Sequence, residues 1–478
     1  MKAQTRFSLS ASLLLLVFSG CAVGPDYKRP AVEAPAFKET GDWKPAEPAE
    51  QLPRGKWWEA YGDLVLNSLE DRIEISSNTL QIAEAQYRQA QAAATVASAA
   101  LFPSVSVDGS ASRAKTPARS TAPATLANSF GAGLTAGWEF DLWGRVRRRA
   151  EAGRAAAAAS AADLESVRLS VHATLAQTYF SLRVADTQAR LYERTVADFA
   201  RSLQMTQNRY AQGVDTRADV ATAETQLKTA QAQAIDLSLT RAQLEHAIAI
   251  LLGQAPASFT LAPADLTLAP PTPPALIPSQ QLERRPDIAA AERRLAAACA
   301  QIGVAKGGYF PVISLSGSAG YQGPALQNLF SAPNELWSIG ASALAPLFDA
   351  GKTRAVVAQA RAAYEESLGA YRQTVLAAFQ EVEDNLAANT LLAREATVQA
   401  EAVAAARQSA TITLNQYKAG TVSYLNVVTA QSAQLSAERT AVELLGRRLN
   451  SSVTLFKAAG GNWRTPDEST DARTVQIP

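Results

Sequence analysis

Cys21, Cys299, His172 and His246 are the side chains of this sequence best suited to nucleophilic or metal chemistry. None has the spacing of a zinc site, and neither histidine belongs to a recognisable catalytic triad. Each histidine lies alone within a helical stretch, where packing or surface display is the ordinary role. Cys299 also falls in a helical stretch and reads as a buried packing residue. There is no phosphate loop of the form GxxxxGKS/T, so nothing suggests nucleotide hydrolysis. The sequence offers no catalytic residue and no metal site, and energy for any work must come from a partner.

Cys21 stands in a different setting. Lys2 and Arg6 give a basic start, residues 9–18 are mostly apolar, and Phe18-Ser19-Gly20-Cys21 closes the run. That pattern is a secretory signal, too short to span a bilayer as a mature helix. A Cys after two small residues resembles a bacterial lipobox, with Phe18 where Leu is usual. Cys21 is therefore expected to carry covalent lipid, the only non-protein group implied. Losing residues 1–20 moves the balance from 45 basic against 44 acidic to 43 against 44, a net −1. Near-neutrality argues against nucleic acid, whose phosphates need a basic face. With only Cys299 left beside Cys21, no disulfide framework forms despite the export signal.

The elements that must position such a chain repeat internally. Phe102-Pro103 recurs as Phe310-Pro311 and Phe140-Asp141 as Phe348-Asp349, 208 residues on. Gly144, Tyr210, Gly213 and Val220 recur 207 residues on as Gly351, Tyr417, Gly420 and Val427. Each copy reads helix, Phe-Pro stop, strand, loop, strand and two long helices. Seven prolines between Pro256 and Pro278 break the copies apart. The chain thus divides into a signal (1–20), an N-terminal extension (21–66), a first repeat with its linker (67–278), a second repeat (279–460) and a tail (461–478).

Four segments alternate with period two. Phe130, Ala132, Leu134, Ala136, Trp138 and Phe140 interleave with small or polar residues, and Val105, Val107, Gly109 and Ala111 form the partner. In the second copy the sets are Ile313 to Tyr321 and Trp337 to Leu347, with loops at 114–128 and 322–335. One apolar and one small polar face suit a barrel wall between lipid and a watery lumen, though a half-buried soluble sheet alternates equally well. Each run spans about 8–12 residues, near the ~9–11 that cross a bilayer as a tilted strand. The smallest familiar barrels need about eight strands, so a membrane reading requires several subunits to share one barrel. The stretches 146–210 and 353–417 lack proline and hold one glycine each, Gly153 and Gly369. At ~1.5 Å per residue each could reach on the order of 90 Å as one helix. Such lengths point to coiled-coil-like packing, eased by the alanines of 155–162.

These residues resemble the TolC-like outer-membrane factor family, in its lipoprotein (NodT/OprM-like) branch, over essentially the whole mature chain. Cys21-Ala-Val-Gly-Pro-Asp-Tyr-Lys-Arg-Pro30, Trp57-Trp58 with Tyr61-Gly62-Asp63, and Leu66-Asn67-Ser68-Leu69 carry the resemblance. The most specific block runs from Leu282-Glu-Arg-Arg-Pro-Asp287 through Ile302-Gly303-Val304-Ala305 to Phe310-Pro311. The resemblance implies a mainly α chain with a transmembrane β-barrel contribution. It implies a homotrimer with a twelve-stranded barrel, four strands from each subunit, and a periplasmic α-barrel. It further implies an outer-membrane location signalled by Ala22, with Cys21 in outer-membrane lipid. The resemblance implies as partners a periplasmic adaptor and an inner-membrane pump of the proton-driven drug or metal class. A type I protein-secretion duct or a lipid-anchored coiled-coil scaffold are the alternatives.

Asp141 and Gly144, with Asp349 and Gly351, fall where the second strand of each copy hands over to a long helix. Asp suits a helix-start cap, Gly a sharp bend, and Trp143 a membrane interface; lumen-facing charge is the other role open to them. Gly213 and Gly420 stop the long helices. The resemblance makes the hairpins around them the periplasmic tips, which close the mouth and dock the adaptor. Tyr210, Asp215, Arg217, Asp219, Tyr417, Ser423 and Asn426 fall there, as gate residues or as ordinary turn residues. Relatives often have Asp where this chain has Asn426, and some where it has Thr429, so an acidic ring is not expected here.

Overall fold

Proline and glycine set the element boundaries in the computed structural model, which describes residues 22–30, 55–118, 123–271 and 285–461. A 3-10 turn at Trp57–Tyr61 leads into α1 (Leu64–Ser76), capped by Asp63, whose carboxylate accepts from the Val65 and Leu66 amides. Helix α2 (Asn78–Ala99) ends just before Phe102-Pro103, and strands β1 (Ser104–Thr116) and β2 (Thr125–Phe140) follow. Then come α3 (Arg145–Ala211) and α4 (Arg217–Leu251). The second copy gives α5 (Pro286–Gly307), β3 (Val312–Gly323), β4 (Glu335–Leu344), α6 (Lys352–Lys418) and α7 (Tyr424–Ala458). Matching helices have equal lengths: 22 residues for α2 and α5, 67 for α3 and α6, 35 for α4 and α7. The repeat read from six landmarks is thus a structural repeat. None of the described helices is long and apolar enough to cross a membrane.

The strands form one antiparallel sheet in the order β1-β2-β3-β4. Its register stacks like with like. Val107, Leu134, Ala319 and Trp337 form one row, and Val105, Ala136, Gly317 and Ile339 the next on that face. Between them on the opposite face lies Ser106, Thr135, Ser318 and Ser338, with hydroxyl hydrogen bonds Ser106–Thr135 of 3.1 Å and Ser318–Ser338 of 2.8 Å. Two boundaries differ from the sequence reading. β4 stops at Leu344, short of Leu347, because Pro346 has no N–H for a ladder. The loops are also shorter than 114–128 and 322–335, since pairing continues to Thr116↔Thr125 and Tyr321↔Glu335. Thr and Lys there extend the ladder although they break the apolar alternation.

The chain forms two compact units. One takes residues from Met1–Pro30, Gln86–Ala161 and Ala290–Gln373 and contains the sheet. Within it Gly153 lets α3 approach α2, since a Cβ there would lie 3.1 Å from that of Ala97. The other takes Ala31–Ala85, Ala162–Ala289 and Thr374–Pro478. Its core gathers Trp57, Trp58, Tyr61, Leu66, Ile73, Leu175, Phe180, Ile248, Leu252 and Phe456. The specific block at Arg284-Arg285-Pro286 finds its reason in this unit. Buried Arg285 bridges Glu381 of α6 at 2.6 Å, Asp287 at 2.8 Å and the Ala458 carbonyl at 3.2 Å, and Pro286 opens α5 where no amide donor is needed.

Candidate functional site

Two helical hairpins come together at the ends of the long helices. In the first, α3 closes at Gly213 (φ 72°), with amide bonds Gly213→Tyr210 O of 2.9 Å and Val214→Arg209 O of 2.9 Å. In the second, α6 closes at Gly420 (φ 76°), with Gly420→Tyr417 O and Thr421→Gln416 O each at 3.0 Å. Chain reversal by glycine is shared; what surrounds it is not. Tyr417 is buried in a cluster with Tyr424, Val427, Val428 and Ala223, whereas its repeat counterpart Tyr210 is 46% exposed.

The Tyr417 hydroxyl donates to the Asp215 carboxylate and lies 3.3 Å from Thr206 Oγ1. Arg209 Nε donates to the same carboxylate at 3.1 Å, and its guanidinium stands 4.6 Å from the Tyr417 ring centre. One aromatic, one anion and one cation thus lock the two hairpins together. Burial, and then the bond to Asp215, push the Tyr417 phenol up to about 12, so it keeps its proton to donate.

The remaining tip residues divide by role. Asp219 belongs to a capping box with Thr216, its Oδ2 accepting from the Thr216 amide at 3.0 Å, so it serves the start of α4. Ser423 occupies the N-cap of α7 without a side-chain cap bond, and its carbonyl accepts from the Asn426 amide at 3.2 Å. Arg217 and Asn426 are exposed. Arg209 and Thr206 complete the lock; both lie in the body of α3 before the glycine turn, and the lock is absent from the other copy's geometry because Arg209 has Gln416 and Asp215 has Val422 as repeat counterparts.

At the strand–helix junctions both aspartates act as caps. Asp141 accepts from the Val146 and Arg147 amides at 3.1 and 2.8 Å. Asp349 accepts from the Gly351 and Thr353 amides at 3.0 and 2.8 Å, and the Thr353 bonds hold its carboxyl below the usual range. Gly144 (φ 81°) and Gly351 (φ 86°) take the left-handed bends. Trp143 stacks on Phe310 with ring centres 4.9 Å apart, and its indole N–H donates to the Pro311 carbonyl at 2.9 Å. It therefore links the two repeats at this level. Cys21 lies outside the described residues. Cys299 is buried, as expected, with its thiol 3.8 Å from the Pro25 carbonyl.

His172 is not solitary. Its ring is buried against Trp58 at 4.5 Å, with Nδ1 2.6 Å from Glu70 Oε2 and Nε2 2.8 Å from Glu74 Oε1. Both ring nitrogens face carboxylate oxygens, an arrangement satisfied when both carry protons. Burial opposes that charge, but the bonds to Glu70 and then Glu74 outweigh it and raise His172 to about 9. Glu70 and Glu74, four apart on α1, share one helical face legible in the sequence; their partner on α3 was not. Among the described residues no group of three or more His, Cys, Asp or Glu could hold a metal ion.

Residues 70–254 and 277–461 each match the family model described as outer membrane efflux protein. The solvent efflux pump outer membrane protein SrpC of Pseudomonas putida is 30% identical over 472 residues, covering 96% of this chain and 99% of that relative. The pyoverdine export outer membrane protein OpmQ of Pseudomonas aeruginosa is 32% identical, covering 86% and 88%. The solved outer-membrane channel OprN superposes with a TM-score of 0.85 at 30% identity, over 93% of this chain and 100% of that one. With both halves matched and relatives aligned nearly end to end, the chain belongs to the outer membrane efflux protein family and is an outer-membrane channel component of an efflux system.

Proposed function

We propose that three copies of this chain share one barrel and form a passive exit duct, with no catalysis of its own. The observation that carries this reading is the open sheet. Among the described residues β1 and β4 each pair along one edge only, and one face of the sheet is apolar or small across all four strands in the rows of Val105 and Val107. Unpaired edges are not tolerated in hydrocarbon, so each β1 pairs with the β4 of a neighbour and twelve strands close the wall. Cys21 carries lipid and tethers the start of the mature chain to the membrane. The duct is filled by an inner-membrane pump, of the proton-driven class, through a periplasmic adaptor that grips the hairpin tips. The lock of Tyr417, Asp215 and Arg209 keeps the tips shut until the adaptor engages. The cargo is small-molecule, in keeping with the solvent and pyoverdine named for relatives, and the pump sets its identity.

The test is native mass spectrometry of protein extracted from outer membranes in mild detergent, followed by bilayer recording. A trimer lacking residues 1–20, with acyl mass on Cys21 and pore conductance, is the expected result. A soluble unlipidated monomer would overturn the duct and favour a periplasmic scaffold.

A further inference from the structure

Residues just after Cys21 are held against α5 and α3 by contacts that leave little freedom. Gly24 (φ 117°) meets Gly303 so closely that a Cβ on Gly24 would lie 2.5 Å from the Gly303 Cα. The Val23 amide donates to the Trp143 carbonyl at 2.9 Å, and Asp26 pairs with Arg148 at 2.5 Å. Val23 is thereby fixed on the rim of a cavity of about 670 Å³. Three cations line that cavity: Lys306 from the last turn of α5, and Arg354 and Arg361 from α6. Arg354, Val357, Ala358 and Arg361 share one helical face by their spacing. Among the described residues no carboxylate lines the cavity, and none of the three cations is in an ion pair. Phe310 and Val357 give it an apolar side, and the half-exposed Tyr309 stands at its edge.

From this convergence we propose that the cavity is a binding site for the phosphate-bearing headgroup of an anionic phospholipid. Three unneutralised cations around one concave site attract an anion, and guanidinium forks suit phosphate oxygens. Free phosphate has the same charge chemistry, but two features select the lipid. The cavity lies next to Phe310, two residues before β3 begins, at the end of the sheet where strands give way to helices. Its rim residue Val23 is two positions from Cys21. Apolar lining and a tyrosine beside the cations match the boundary between headgroup and acyl chain. The inference rests on the outer-membrane placement given above.

Delipidated, detergent-solubilised full-length trimer is titrated with phosphatidylglycerol, phosphatidylethanolamine or inorganic phosphate and read by native mass spectrometry. Phosphatidylglycerol should bind at about one per subunit and outcompete the other two. Near a membrane surface each cation contributes about fivefold in affinity. Lys306→Gln, Arg354→Gln and Arg361→Gln combined should therefore weaken binding by on the order of 100-fold, while Arg194→Gln with Lys228→Gln changes nothing. Should the triple variant not assemble, a photoreactive phosphatidylglycerol on the unaltered protein should label residues 306–310 or 354–361. Equal binding of both lipids, phosphate binding as tight as lipid, labelling elsewhere, or a neighbouring subunit covering these residues would each overturn the proposal. Absence of the protein from outer membranes would instead sink the duct reading itself.

Discussion

The Tyr417 hydroxyl of the second hairpin donates to the Asp215 carboxylate of the first, across 202 residues of sequence. That bond, with Arg209 seated on the ring, makes the tip lock a joint property of both repeats and of neither alone. Tyr417→Phe removes the donor and leaves the Arg209–Asp215 pair in place. A hydrogen bond to a charged group contributes about 1.5–3 kcal/mol, so the opening equilibrium of each subunit should shift at least ~10-fold. Bilayer recordings should show longer open times, and an unchanged closed fraction would remove the lock from the gate.

Asn426 and Thr429 are exposed and uncharged at the same tips. Cation preference and block by multivalent cations should accordingly be weak, and Asn426→Asp should strengthen both several-fold by restoring a ring of charge. Reversal potentials in asymmetric salt measure this directly. Strong selectivity that vanishes on Asp219→Asn would contradict it, because Asp219 is here engaged as a cap.

The imidazole of His172 between Glu70 and Glu74 makes stability depend on alkaline pH. Its folded pKa of about 9 exceeds the ordinary 6.5, so its contribution is complete below 6.5 and is lost as pH rises through about 9. Thermal unfolding in detergent should show a melting temperature a few degrees lower above that window than at neutrality. His172→Gln should be less stable at neutral pH, because burial already raises Glu70 to about 7 and the imidazole that opposes this shift is gone. A wild-type profile that is flat there would refute the charged assignment.

Arg285 is buried with Glu381, Asp287 and the Ala458 carbonyl. Arg285→Met strips the partner from a carboxylate and a helix-end carbonyl. Uncompensated buried charge costs about 3–5 kcal/mol; Glu381 is 25% exposed, so the lower end applies. Denaturant midpoints should fall accordingly, with Glu381→Gln milder than Arg285→Met.

Gly24 takes a φ of 117° against the backbone of Gly303. Gly24→Ala cannot hold both the angle and the approach, so residues 22–30 should lift from α5. Hydrogen exchange across that segment should rise by at least tenfold, with the helices unaffected. Protection equal to wild type would show that the contact does not fix the segment.

Much of this protein is written locally. Prolines end α2 and α5, Asp141 and Asp349 cap the helices that follow, and period-two runs fix which strand face is apolar. These are short-range effects of backbone geometry and side-chain alternation, so sequence alone determined the element order, the repeat and the strand count. It also placed Gly213 and Gly420 at the turns, because a left-handed bend after a helix has few other solutions. Tertiary packing decided the rest. Tyr210 and Tyr417 are equivalent in the repeat, yet only Tyr417 is buried, since Arg209 and Asp215 sit on one hairpin and have Gln416 and Val422 as counterparts. His172 looked isolated because its carboxylates lie about a hundred residues away, and its charge exists only where burial and those two oxygens coincide. Lys306, Arg354 and Arg361 are unremarkable surface cations in sequence; the fold sets them around one cavity beside Val23. Such long-range pairings depend on how helices approach in space, which no local pattern encodes.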